Sequence, residues 1–331
     1  MDTLETYQVF ADKARLELQK NPQWKNNFKR YATSIISAQE TIHKENLAGF
    51  RVHAPLYLYT TIKDAMGKKS SLRFILRYKG QEVASISQKK SMVYVKIDEK
   101  QAERNHYFFR KNDSKDHLIT KSGCFPWNSD EGREFRRFFG AFPDKNNSNA
   151  EHTLESILLT ELEKSSAADK SLCGIQPVKL NGKRFQMKTA FAASKLKSGG
   201  PVYSNKGGGI DILARRKTGN HTYLTVIELK DENRRSESPE IAIRQAISYS
   251  VFIRELLRSG EAGGREWYRL FGFHEDLPDK LMIKCAVAMP DVADVNVFKE
   301  KAVYLEGDTI ELHCLCIDKE NGRIRAVSSG F

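Results

Sequence analysis

The stretch "GGGIDILARRKTGNHTYLTVIELKDE", Gly207–Glu232, decides the fold of this chain. Two apolar, strand-like runs carry Asp211 and Glu228, with Lys230 just beyond. A buried charge is costly unless something pairs with it, so these carboxylates need a partner. If the runs pair antiparallel around Thr218-Gly219-Asn220, residues whose numbers sum to 439 lie opposite one another, and Asp211 and Glu228 form such a pair. Opposed residues on one face have Cβ atoms about 5 Å apart. At an effective dielectric near 20, two like charges at that separation repel by about 3 kcal/mol. Lys230 shares the face of Glu228, because strand side chains alternate. One ammonium offsets part of the repulsion; a divalent cation is the better match to paired oxygen ligands. Leu229 points its side chain to the opposite face, which leaves its carbonyl as a third ligand.

The flanks extend the pattern. Gly207, Gly208 and Gly209 precede Asp211, and glycines there let a nucleic-acid backbone approach closely. "SPEIAIRQAISYSVFIRELLRSG" reads as a helix with Ser238 as N-cap, Pro239 at the first turn and Gly260 past the end. Gln245 and Tyr249 are four apart on one face of it. Upstream, "AEHTLESILLTELEK" is an amphipathic helix in which Ser148 and Glu151 have capping-box spacing. Glu151 and Glu155 share a face, and both have Leu at +3 and +7, so spacing does not choose between them.

These residues resemble the PD-(D/E)XK nuclease superfamily over roughly residues 150–290: a helical Glu, then "GID", then "IELK" on the next strand, then "QAISY". Ile210 stands where the family's literal Pro would precede the Asp. The resemblance implies a restriction-endonuclease-like α/β fold, a mixed central sheet flanked by helices. It implies that Asp211 and Glu228 ligate Mg2+ (Mn2+ substituting), with the Leu229 carbonyl as the third ligand that alternation offers, that the helical acid is Glu155 or Glu151, and that Lys230 orients or activates the attacking water and offsets developing charge. Gln245 and Tyr249 would support the site or contact nucleic acid. Hydrolysis of a phosphodiester requires a nucleophilic hydroxide near neutral pH, and a bound metal supplies it by lowering the pKa of its water. Carboxylates and a carbonyl suit a hard cation.

The rest of the chain reads as follows. Of the net charge of +12, +10 falls in residues 1–150, where 27 Lys+Arg face 17 Asp+Glu. Such a basic half suits a polyanionic partner, DNA first, with RNA left open. Residues 3–20 and 25–47 read as helices, and "APLYLYTTI", "SLRFILRYKG", "QEVASISQKK" and "SMVYVKIDEK" as an antiparallel meander. Lys68, Lys69, Arg73, Arg77, Lys89 and Lys90 on the meander are candidate phosphate contacts. So are Arg133, Arg136 and Arg137, which sit among phenylalanines in "DEGREFRRFFGAF"; that helix equally suits domain packing.

The polar stretch 143–149 divides a basic α+β unit, 1–148, from a nuclease-like unit, 149–331. "KLMIKCAVAMP" reads as a central strand, "VNVFKEKA" as a helix and "TIELHCLCI" as a last strand. The five scattered cysteines suit reduced thiols rather than a disulfide framework. "GKKSS" is not a phosphate-binding loop, because Lys69 stands where Ser or Thr is needed. No membrane-length apolar run is present, which points to a cytoplasmic protein. The leading function is a Mg2+-dependent endonuclease, by analogy in prokaryotic restriction or phage defence, as a homo-oligomer or with a defence-complex partner. The alternatives are a non-catalytic DNA-binding protein on a nuclease fold, and a nuclease recruited by an N-terminal interaction domain.

Overall fold

The computed structural model describes residues 6–44, 50–62, 72–89, 92–99, 101, 123–141, 150–166, 172–192, 200–231, 238–290, 296–320 and 323–329. Its architecture is mixed α/β, with two mixed sheets and six α-helices among the described residues. In chain order these are α1 (Tyr7–Lys20), α2 (Gln23–Lys44), β1 (Leu56–Ile62), β2 (Leu72–Tyr78), β3 (Gln81–Lys89), β4 (Met92–Ile97), β5 (Gly123–Pro126) and α3 (Asp130–Ala141). There follow α4 (Ala150–Lys164), β6 (Ile175–Pro177), β7 (Lys179–Leu180), β8 (Lys183–Gln186), β9 (Ile212–Thr218), β10 (His221–Leu229) and α5 (Pro239–Arg258). The last are α6 (Gly264–Leu270), β11 (Met282–Pro290), β12 (Ala302–Leu305), β13 (Asp308–Glu320) and β14 (Arg323–Ser329).

The expected meander is present: β1 to β5 pair antiparallel in sequence order. Its sheet then continues past residue 148, because β8 pairs parallel with β1, and β7 follows. The second sheet runs β12-β13-β11-β10-β9-β6, with β14 pairing on β13. β9 and β10 form the hairpin read from the sequence, in the expected register: Thr218 faces His221 and Ile212 faces Ile227. α5 connects β10 to its parallel neighbour β11, which is central as its apolar run required.

Alternation along the strands builds the two faces of this sheet. Leu224, Val226, Ile283, Cys285 and Val287 pack toward α5, while Ile227, Leu229, Ala286 and Ala288 pack toward α4. Tyr59 and Ile75 of the meander join that second cluster, so α4 is shared between the two sheets.

The two halves of the chain are not separate bodies. α1 and α2 bury Phe10, Leu18, Trp24 and Phe28 in one core with Phe252 of α5 and Trp267 of α6. Phe28 meets Phe252 at 4.9 Å, and the Trp267 indole donates to the Phe28 carbonyl at 3.1 Å. A division at 143–149, itself outside the described residues, therefore cuts through shared packing.

The helix expected over "VNVFKEKA" is absent among the described residues there: Asn296–Lys301 is irregular and Ala302 begins β12. Tertiary contacts claim the segment. Phe298 is buried against Tyr7, and the Glu300 carboxylate accepts from the Tyr7 and Gln8 backbone N–H groups, capping α1. β12 and β14 had no separate signal in the sequence.

At the β2–β3 turn Gly80 has φ +79, and a Cβ there would stand 2.2 Å from the His152 carbonyl oxygen of α4. Gly80→Ala is expected to cost about 2 kcal/mol or more in denaturant unfolding, through left-handed strain and lost docking of the turn on α4. An unchanged midpoint would show that the turn does not hold the sheet to the helix.

Candidate active site

Asp211 closes the entry to β9, and Glu228 lies at the far end of β10, the two in the facing positions that the register dictates. Asp211 Oδ2 accepts from the Leu229 backbone N–H at 2.8 Å, which draws the carboxylate onto the end of β10. Glu228 and Lys230 are each 1% exposed and form an ion pair, Nζ to Oε1, of 2.6 Å. The second oxygen of Glu228, Oε2, is buried without a hydrogen-bond partner. Such an orphaned carboxylate oxygen is unusual in a folded protein. It is also the feature that a cation beside Asp211 would satisfy. Among the described residues no group of three or more His, Cys, Asp or Glu is gathered as around an ion.

The electrostatics follow from burial. Asp211 is pushed from an ordinary 3.8 up to about 7 by burial and then by the charge of Glu155; the Leu229 N–H and Lys230 oppose the shift. Burial and the neighbouring Asp211 raise Glu228 well above its ordinary value, against the pull of Lys230. Burial lowers Lys230, but Glu228 outweighs it, and the ammonium is held above its usual value. Burial and their mutual repulsion thus disfavour charge on both carboxylates at once, and a bound cation would reverse that.

α5 brings Gln245 and Tyr249 to the same side of the sheet. The Gln245 amide donates to the Tyr249 hydroxyl at 3.1 Å. Burial, Glu228 and Asp211 hold the tyrosine well above its ordinary pKa, so it stays a neutral phenol facing the carboxylates.

Both helical acids reach the site, in different roles. Glu155, 2% exposed, is tied to Arg77 Nη1 at 3.4 Å and to His152 Nδ1 at 3.5 Å. The hydrogen bond to Glu155 holds His152 above its ordinary value against the effect of burial. Glu151 adds its charge to Asp211, Glu228, Lys230 and Tyr249 alike.

The remaining sequence candidates distribute themselves as follows. The close approach at Gly209 is made by Gln186, whose Nε2 would be 3.1 Å from a Cβ there, and the Gly208 carbonyl accepts from Thr189 N–H. The glycine run thus serves a β-bridge to residues 187–189. Arg73 is paired with Glu82 at 3.1 Å, and Lys89 is exposed. Lys68, Lys69, Lys90 and Ser148 lie outside the described residues. α3 buries Phe135 and Phe139 against the meander, which places it as a packing helix. Arg133 is bound to Asp130 and the Asn128 carbonyl, Arg136 lies over Trp127 at 4.6 Å, and Arg137 is exposed.

Arg77, by sequence a candidate phosphate contact, does not take that place. It is instead buried, stacked 4.4 Å over Tyr59 and bonded to Glu155 and Gln186. Nothing in its local sequence could show this, because its partners are 78 and 109 residues away.

Comparison with protein-family models, curated proteins and solved structures finds no match to the chain.

Proposed function

We propose that the chain is a metal-dependent nuclease that hydrolyses DNA phosphodiester bonds. One observation carries the reading. Two carboxylates, Asp211 and Glu228, face each other at a strand end, the second with a buried oxygen that no protein group satisfies, and a lysine stands beside them. The element order around them supports the resemblance to PD-(D/E)XK nucleases: a helix with Glu151 and Glu155, an antiparallel hairpin, then a helix crossing to a parallel strand.

Asp211, Glu228 and the Leu229 carbonyl would hold Mg2+, or Mn2+ in its place. Bound there, the ion would supply an acidified water and charge neutralisation. Lys230 holds Glu228 in place and presents a cation toward the charge that develops on the phosphate. Tyr249 and Gln245 close the α5 side with neutral hydrogen-bonding groups. Arg77 and His152 pair with Glu155 and so offset part of the charge that it adds beside Asp211.

The direct test is supercoiled plasmid with Mg2+, with and without EDTA, for wild type and Asp211→Ala. Cleavage by wild type that EDTA stops and that Asp211→Ala lacks is the expected result. Equal cleavage by the variant would remove the site assignment, and an inert wild type would remove the activity. Lys230→Ala is expected to lose turnover by far more than it loses DNA affinity, because its role is at the reacting phosphate. A loss confined to binding would make Lys230 an ordinary phosphate contact.

A further inference from the structure

α4 begins beside the β2–β3 turn, where the His152 carbonyl oxygen lies against Gly80. A line of side-chain partners reaches the same residue from the meander. The Arg77 guanidinium stacks 4.4 Å over the Tyr59 ring, Arg77 Nη1 donates to Glu155 Oε1 at 3.4 Å, and Glu155 Oε2 meets His152 Nδ1 at 3.5 Å. Both oxygens of Glu155 are thereby engaged, one by a guanidinium and one by an imidazole. A carboxylate placed on one ring nitrogen fixes the orientation and tautomer of a histidine and leaves proton exchange to the other nitrogen. Exposure sets His152 apart from the groups around it. Glu155, Glu228, Lys230 and Tyr249 are each 2% exposed or less, while the His152 side chain keeps 41%.

We propose that His152 donates a proton to the leaving sugar oxygen when a phosphodiester is cut, with Glu155 and, behind it, Arg77 as its positioning residues. The inference rests on the nuclease reading for the reaction; the donor is argued from the side chains. His152 lies within electrostatic reach of Asp211, and it is the member of this group that an arriving strand can touch. The hydrogen bond to Glu155 raises its pKa, the charges of Glu155 and Asp211 add to that, and burial and Arg77 oppose it, so the ring holds a proton to give near neutral pH. The other proton carriers beside Asp211 keep theirs. Glu228 outweighs burial and holds Lys230 above its usual value, and burial holds the Tyr249 phenol well above its own.

The step balances without a further reactant. A water oxygen bonds phosphorus as the bond from phosphorus to a bridging sugar oxygen breaks, and the electron pair of that bond stays on the sugar oxygen. The His152 Nε2 proton goes there, giving a sugar hydroxyl and a neutral imidazole. The proton that the water released returns to the imidazole through solvent. A sugar alkoxide is a poor leaving group, and a positioned general acid contributes about 10²- to 10⁴-fold to such a departure. Glu155 and Arg77 touch no reacting atom in this scheme. They act through the ring they hold.

The test is single-turnover cleavage, by the full-length protein at saturating Mg2+, of a DNA duplex spanning a cut site mapped with the wild type. Two matched duplexes carry sulfur at that site, one in place of the bridging 3′ oxygen and one in place of the 5′ oxygen. A thiol, with a pKa of about 8.5, is far more acidic than a sugar hydroxyl, so sulfur departs without a proton. His152→Gln is expected to cut the all-oxygen duplex about 10²- to 10⁴-fold more slowly than wild type. It should match the wild-type rate on the duplex whose sulfur is the leaving atom. Glu155→Gln should lose a smaller share of the rate and regain it on that same duplex. An unimpaired His152→Gln, or a deficit equal on all three duplexes, would overturn the proposal. A Glu155→Gln deficit that sulfur does not relieve would take Glu155 out of the relay. An inert wild type would remove the nuclease reading and this inference with it, whereas wild-type cutting that His152→Gln retains would remove this inference alone.

Discussion

Glu228→Gln is expected to lower Mg2+-dependent cleavage by about 10³-fold or more while leaving the protein folded. The substitution keeps the volume and a hydrogen-bond acceptor for Lys230 Nζ, but removes the carboxylate charge that faces Asp211. Two opposing effects set the metal-free stability. Lys230, 1% exposed, loses its counter-charge, which is costly for a buried ion. Repulsion between Asp211 and Glu228 also disappears; burial and Asp211 already hold Glu228 well above its ordinary pKa, so the neutral amide resembles its protonated form. The two should nearly cancel, with unfolding in EDTA within about 1 kcal/mol of wild type. A loss of several kcal/mol would show that the Glu228–Lys230 pair is an anchor of the fold first, and undiminished cleavage would remove Glu228 from the chemistry.

Asp211→Asn should make the metal-free protein more stable at alkaline pH and leave it nearly unchanged in acid. The folded-state pKa of Asp211 lies at about 7 against an ordinary 3.8, because burial and Glu155 disfavour its charge. An acid raised in this way contributes stability that is whole below its unfolded pKa and is lost as the pH rises through its folded pKa. The window therefore runs from about pH 4 to about pH 7, and the folded state is penalised above it. Asparagine carries no such charge and can still accept from the Leu229 N–H. The difference at about pH 8 amounts to as much as about 4 kcal/mol, from a shift of roughly three pKa units. Denaturant unfolding in EDTA of both proteins across that range reads it. A gap of the same size at both ends would mean that the effect is packing and not ionisation.

The hairpin that carries the site could be read from the chain because its determinants are local. Thr218-Gly219-Asn220 sets the turn, strand alternation sets the faces, and together they give the register found, which ends at Ile212 and Ile227 and leaves Asp211 and Glu228 one step beyond. The meander, the helix of Gln245 and Tyr249 and the central strand Met282–Pro290 follow from the same short-range periodicities. "VNVFKEKA" shows where that reasoning stops. Its local pattern suits a helix, yet Phe298 and Glu300 are worth more in the core and at the cap of α1, 293 residues away.

By itself, then, the sequence determined the two strands, their register and the pairing of Glu228 with Lys230 near Asp211, since residues within one turn or one strand period need no distant partner. Only the tertiary structure decided that the polar stretch 143–149 does not separate the chain into independent bodies, with Trp24 and Phe28 buried against Phe252 and β8 joined to β1. It also decided that both Glu151 and Glu155 reach Asp211, that the glycine run admits Gln186, and that Arg77 belongs to the site and not to the surface. The physical reason is that a buried charge or ring is placed by whichever partner the whole chain can bring to it. For Arg77 those partners are Glu155 on α4 and Gln186 on β8, two strands away in its own sheet, a juxtaposition that local sequence does not encode.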